Sequence, residues 1–184
     1  MAQGKTDLSR FDNSWYRPGN VVKRTLWYCV NSLFFHSRCL PFSGFKVMLL
    51  RLFGASVGEG VVIRPSVNIK YPWHLVIGDQ VWIGEHVWID SLGKVVIGNH
   101  VCISQGALIL SGNHDYKKET FDLLVKDIVL DDGVWIGARA VVCQGVRCGS
   151  HAVLSAGSVA QADLEPYAVY RGNPAEKIRE RIIE

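Results

Sequence analysis

The segment Val95-Val96-Ile97-Gly98-Asn99-His100-Val101-Cys102-Ile103-Ser104-Gln105-Gly106-Ala107-Leu108-Ile109 places Ile at every sixth position, at Ile97, Ile103 and Ile109. Val101 and Ala107 stand four residues after the first two of these, and Gly98 or Ser104 follows directly. The same grid extends in both directions. Toward the N-terminus it meets Ile89, Ile83 and Ile77, then Ile69, Ile63 and Val57. Toward the C-terminus it meets Leu130, Ile136, Val142, Cys148 and Leu154. Thirteen of these fourteen sites are Ile, Leu or Val, and nine of the thirteen Ile in the chain fall on them, so chance does not explain the pattern. Six residues are too few for a helix-turn or a hairpin. They suit one short strand and a bend, with the aliphatic side chain inward and Gly or Asx easing the corner. Three units close a triangular coil of about 18 residues, and stacked coils form a solenoid whose ends need caps.

The irregularities fall in one place. With the faces labelled A, B and C from Val57, the steps Ile69 to Ile77 and Ile89 to Ile97 are eight residues, and Ile109 to Leu130 is 21. All three breaks are C-to-A corners. Two bulges and one 15-residue insertion therefore stack along a single edge, in a register that sets His114 above Lys94, Lys94 above His74, and Asp90 one coil below Leu110. Long loops in compact domains are usually functional, which marks this edge as the candidate site.

The chain has 184 residues, 48% of them apolar and 20% charged, as expected of a folded domain. A net charge of +3 makes no case for nucleic acid as the main partner. Five Cys without a CxxC pair, and no apolar signal core near the start, point to a reducing cytosol. Residues 1–56 lack the grid. Helical spacing of Val21-Val22, Leu26-Trp27, Val30 and Leu33-Phe34, and of Phe45, Leu49 and Leu52-Phe53, predicts two amphipathic helices. Such an arm would cap the first coil or lie on a membrane surface; its apolar stretch is too short to span a bilayer. Residues 57–164 form the β-helix, with the inserted loop at 111–127. In residues 165–184, Pro166 and Gly172-Asn173-Pro174 break regular structure, and Ala175 to Ile183 reads as a short charged helix.

These features together resemble the hexapeptide-repeat acyltransferases. The resemblance covers residues 57–184 and rests on the hexads, Val134-Trp135-Ile136-Gly137, Ser111-Gly112-Asn113-His114-Asp115-Tyr116 and Gly172-Asn173-Pro174-Ala175. Phe11-Asp12-Asn13-Ser14-Trp15-Tyr16 and Lys70-Tyr71-Pro72-Trp73 are similar to the WcaF-type O-acetyltransferases of colanic acid and related exopolysaccharides. The resemblance implies a left-handed coil, a homotrimer, acetyl-coenzyme A in the groove between prisms, and one essential loop His. That residue is His114. Asp90 matches an acceptor-contacting Asp of the maltose- and galactoside-acetyltransferase branch, while Glu85 stands where that branch has Asn. The family places pantetheine past Trp135, Ala138 and Ala156. Arg179 matches the position for the coenzyme phosphate. Glu176 replaces the usual Lys, leaving Lys177 one residue out of register.

The chemistry agrees with the loop histidine. A sugar hydroxyl is a weak nucleophile, and a neutral imidazole takes its proton as it attacks the thioester. Loop backbone N–H groups would serve the oxyanion. Asn113 and Asp115 flank the base; Asp115 orients the ring or shapes the loop. His86, His100 and His151 occupy the fourth hexad position, a solvated corner, and His36 reads as structural. Cys102, Cys143 and Cys148 lie within hexads, which argues against a cysteine nucleophile. The function expected is O-acetyl transfer to a sugar, free, nucleotide-linked or lipid-linked, with no metal. The alternatives are a serine or xenobiotic acetyltransferase, a γ-class carbonic anhydrase needing three His on one metal, and a non-catalytic scaffold.

Overall fold

The computed structural model describes residues 4–38 and 40–184; the first three residues of the expected 1–56 arm, and Cys39, lie outside it. From Ser56 onward the chain climbs as a parallel solenoid of about six turns. Face A pairs Val57, Ile77, Ile97, Leu130 and Cys148 in succession. Face B pairs Ile63, Ile83, Ile103, Ile136 and Leu154, and face C pairs Ile69, Ile89, Ile109 and Val142. All fourteen grid side chains point inward and are buried in one column. At the fourth hexad position the backbone is left-handed: Ser66, Gln80, His86, His100, Arg139 and His151 all have φ between 55° and 61°. Side chains rarely adopt that region. The strain is repaid by the parallel ladder on either side of each corner, and the three corner histidines keep the solvated, structural place expected of them.

The lower end of the solenoid is closed by α1 (Val21–Val30), which continues as a wider helical turn over Asn31–Phe35, and by α2 (Ser43–Leu52). Each bottom strand finds a side-chain partner in this cap. On face A, Arg51 donates to the Val57 carbonyl at 2.8 Å. On face B, Ser43 Oγ accepts the Ile63 N–H at 3.0 Å and Lys46 Nζ donates to the Arg64 carbonyl at 3.0 Å. On face C, Trp27 Nε1 donates to the Ile69 carbonyl at 2.8 Å. Unpaired strand edges template aggregation, and these contacts close all three. Lys46 is fully buried, and desolvation, with the nearby Arg64 charge, holds its ammonium below the usual lysine range.

The upper end differs from expectation. Ala175 to Ile183 is not a helix. Ala175–Glu180 is a strand, turned at Gly172-Asn173-Pro174 and paired antiparallel with Ala168–Gly172. Glu, Lys and Arg favour helix locally. The last coil leaves an open strand on face B, however, and covering it outweighs a weak propensity. This hairpin is why face B has seven strands and faces A and C five.

Candidate active site

The bulged edge is laced by buried serines. Ser91 Oγ donates to the Tyr71 carbonyl and accepts the Tyr71 N–H, both at 3.0 Å. One coil higher, Ser111 Oγ donates to the Asp90 carbonyl at 2.6 Å and accepts the Gly93 N–H at 2.9 Å. Both serines are fully buried. They satisfy backbone groups that the extra residues of each bulge take out of the ladder. His74 Nδ1 lies 3.1 Å from the Ser91 carbonyl, which gives His74 a structural place in the same lacing.

The insertion opens as a two-stranded antiparallel hairpin, Gly112–His114 against Leu123–Val125. This corrects one register. Lys94 lies over His74 as expected, because Val95 pairs with Leu75, and Asp90 pairs with Leu110. Above Lys94, however, stands Asp127, whose Oδ1 accepts the Lys94 N–H at 2.8 Å. The end of the insertion regains the coil, and its start carries His114 away from the prism.

The His114 ring lies flat on Phe121, with centroids 4.5 Å apart and planes 9° apart, and meets Phe11 at 5.6 Å. Its Nδ1 is 2.9 Å from the Phe121 carbonyl oxygen. A carbonyl only accepts, so this contact assigns the proton to Nδ1 and leaves the Nε2 lone pair available in the neutral ring. Phe121 reaches this position at φ 52°, a left-handed conformation that a bulky residue seldom takes. Phe11 and Phe121 were not singled out as site residues from sequence. Phe11 belongs to the Phe11–Tyr16 segment quoted above, and that segment folds back here: Asp7 N–H donates to the Glu119 carbonyl at 2.9 Å, and Tyr16 Oη donates to the Leu92 carbonyl at 2.8 Å.

Asp115 shapes the loop. Its Oδ1 accepts the Lys117 N–H at 3.1 Å, and the Phe121 carbonyl, not Asp115, holds the His114 ring. Asn113 is exposed, and its Oδ1 accepts the His114 N–H at 2.8 Å. The N–H groups of Asp115, Tyr116 and Lys118 also bond within the loop. Those three N–H groups, with those of His114 and Lys117, are therefore already committed and do not serve an oxyanion.

Asp90 is largely buried beside the hairpin, with Oδ2 3.4 Å from where a Cβ on Gly112 would stand. The Lys70 ammonium is 3.1 Å from Asp90 Oδ1, off the direction of a good hydrogen bond, so the pair is held by charge. Burial pushes the Tyr16 hydroxyl well above its ordinary range, with Tyr71 and Asp90 adding to the effect, so it stays a neutral donor. Below this cluster a cleft of about 540 Å³ opens between α1 and the lower coils, lined among others by Arg24, Tyr28, Lys70, Tyr71 and Trp88.

The other candidates sit elsewhere on the prism. Glu85 is at the B-to-C corner, ion-paired with Arg64 at 3.0 Å. Trp135 lies on the outside of face B, half-exposed, with Nε1 donating to Ser104 Oγ at 3.0 Å. Trp82 shares that column, separated from Trp135 by Cys102, whereas Trp88 is on face C. Ala138 and Ala156 follow Ile136 and Leu154 at the B-to-C corner, where coils stack so closely that a Cβ on Gly137 would stand 2.5 Å from the Ala156 nitrogen. Lys177 is held by Glu165 at 2.6 Å and Glu180 at 2.8 Å, and these partners raise its pKa. Arg179, opposite Val169, has no carboxylate partner among the described residues. Among the described residues no group of three His, Cys, Asp or Glu is placed to hold a metal ion.

No family model matches the chain. It is 40% identical over 177 residues, 96% of this chain and 97% of the relative, to the Escherichia coli K12 protein that carries the name WcaF, for a colanic acid biosynthesis acetyltransferase. The galactoside O-acetyltransferase of the same organism is 30% identical over 72% of this chain and 66% of its own length. A hexapeptide-repeat acetyltransferase from Vibrio cholerae, solved with acetyl-coenzyme A, superposes with a TM-score of 0.78 at 24% identity, covering 88% of each chain.

Proposed function

This chain belongs to the WcaF group of hexapeptide-repeat acetyltransferases, left-handed β-helix enzymes that use acetyl-coenzyme A, and from that premise we propose that it acetylates a sugar hydroxyl in exopolysaccharide assembly. The observation that carries this reading is the anchored His114 ring, with Nδ1 spent on a carbonyl and Nε2 free, on a hairpin beside Asp90. In the proposed reaction Nε2 takes the acceptor hydroxyl proton as that oxygen bonds to the acetyl carbonyl carbon. The carbon–sulfur bond then breaks, and the imidazolium returns the proton to the departing thiolate. Ester and free coenzyme A result, with no acyl-enzyme.

In this reading Asp90, ion-paired with Lys70, accepts a hydrogen bond from the sugar. Trp135, Ala138 and Ala156 flank pantetheine, and Arg179 takes the coenzyme phosphate, with Lys177 on the same strand as a second cation for it. The names of the relatives, colanic acid and galactoside, support a carbohydrate acceptor. The reading includes a homotrimer. Placement supports shared sites: the residues assigned to the donor lie at face B and the B-to-C corner and His114 at the C-to-A edge, so a neighbouring copy would bring donor and base together. Glu85 would reach the acceptor only across such an interface. The enzyme would work in the cytoplasm, at the inner membrane face.

The test is thiol release from acetyl-coenzyme A against free sugars, nucleotide sugars and lipid-linked glycans, with products identified by mass. A sugar-dependent release with one added acetyl supports the reading. Turnover only with serine or a drug-like acceptor would replace it.

A further inference from the structure

We propose that the outer face of the α1–α2 cap docks the enzyme on a bilayer surface rich in anionic phospholipid. Capping and membrane contact would compete only if they needed the same side chains, and they do not. Trp27, Phe35, Leu49 and Leu50 face the solenoid and are buried. On the opposite side of α1 and its extension, Val22, Leu26, Cys29 and Leu33 recur at helical spacing, and Leu26 and Leu33 are 55% and 65% exposed. On α2, Phe45, Met48 and Leu52 form a second such stripe, with Leu52 75% exposed. The two stripes adjoin. Val22, Leu26 and Leu52 line one shallow depression, and the Phe34 and Phe45 rings meet at 5.3 Å.

Charge selects what covers this face. From Asn13 to Gly58 the chain has no Asp or Glu but six Lys or Arg: Arg17, Lys23, Arg24, Arg38, Lys46 and Arg51. The whole chain is only +3, so all other residues together sum to −3. Lys46 is buried and Arg51 pairs with Glu59. Arg17, Lys23, Arg24 and Arg38 have no carboxylate within ion-pair distance among the described residues. Lys23 lines the same depression as Val22, Leu26 and Leu52, and Arg24 and Arg38 lie at the sides of the cap toward the coils. An apolar stripe on a cationic segment without carboxylates suits the headgroup boundary of an anionic bilayer. A second copy of the same face would set one acid-free surface against another, which like charges oppose. Among the described residues no helix is long and apolar enough to cross a membrane, so the contact lies in the surface plane. This inference does not depend on which acceptor the enzyme uses.

The experiment is co-sedimentation of the full-length protein with vesicles of phosphatidylcholine alone or with about 30% phosphatidylglycerol. The proposal expects binding to the anionic vesicles that weakens roughly tenfold or more from low to high salt. It also expects a comparable loss in the double variant Leu26→Glu, Leu33→Glu, with unchanged melting temperature and oligomeric state, and a partial loss in Arg17→Gln, Arg38→Gln. Four results would overturn it: no binding of the parent protein, equal binding to neutral vesicles, binding unaffected by the Leu variants, or a changed oligomeric state in them, which would mark the face as a subunit contact.

Discussion

The hydrogen bond from His114 Nδ1 to the Phe121 carbonyl, together with the ring stacked beneath, sets both the tautomer and the aim of the candidate base. Only the identity of the base was legible in sequence. His114 stood out by its edge and its Gly-Asn-His-Asp setting, but a backbone carbonyl seven residues away leaves no side-chain signature. Phe121→Ala keeps the carbonyl and removes the ring, so turnover should fall roughly 10–100-fold through misorientation. The KM for acetyl-coenzyme A should hold, which steady-state kinetics would show. The cysteines permit a second prediction. Burial raises the Cys102 and Cys143 thiols above their ordinary range, and burial with the Asp163 and Asp131 carboxylates pushes Cys148 up to about 12. None supplies a thiolate near neutral pH. Cys102→Ser and Cys143→Ser should retain turnover, and two-substrate kinetics should give intersecting lines. Parallel lines would indicate an acyl-enzyme.

Among the elements, the hexads read cleanly because period and burial coincide: every grid residue is inward, and every interruption falls at one edge. The insertion read less well. A 15-residue excursion has no periodicity to fix its pairing, so its hairpin and the return at Asp127 emerge only from the fold. The C-terminal segment was misread for the opposite reason, a local propensity overridden by a strand edge. The N-terminal residues show what motif reading adds. Phe11–Tyr16 was legible as a family feature without a place, and the structure sets Phe11 against His114 and Tyr16 on the neighbouring Leu92 bulge, with the preceding Asp7 bonded to Glu119 of the insertion. Deleting residues 1–13 should therefore speed hydrogen exchange in 112–125 and reduce activity, while leaving exchange in the solenoid ladders unchanged. Exchange mass spectrometry separates the two regions.

Across the whole molecule, one buried Ile column carries the stability, and the candidate base sits on the one irregular edge. Ile103, central on face B and fully buried, should cost about 2–5 kcal/mol on change to Ala, read from denaturant midpoints. The residues proposed for donor and acceptor sit on different edges of one prism. Sedimentation equilibrium of the active enzyme should therefore give a trimer, and a fully active monomer near 20.5 kDa would refute the shared groove. The most direct measurement is turnover of His114→Ala with acetyl-coenzyme A and the preferred sugar. The account predicts a fall of roughly 10²–10⁴-fold, with acetyl-coenzyme A affinity nearly unchanged. Near-normal turnover in that variant would contradict it.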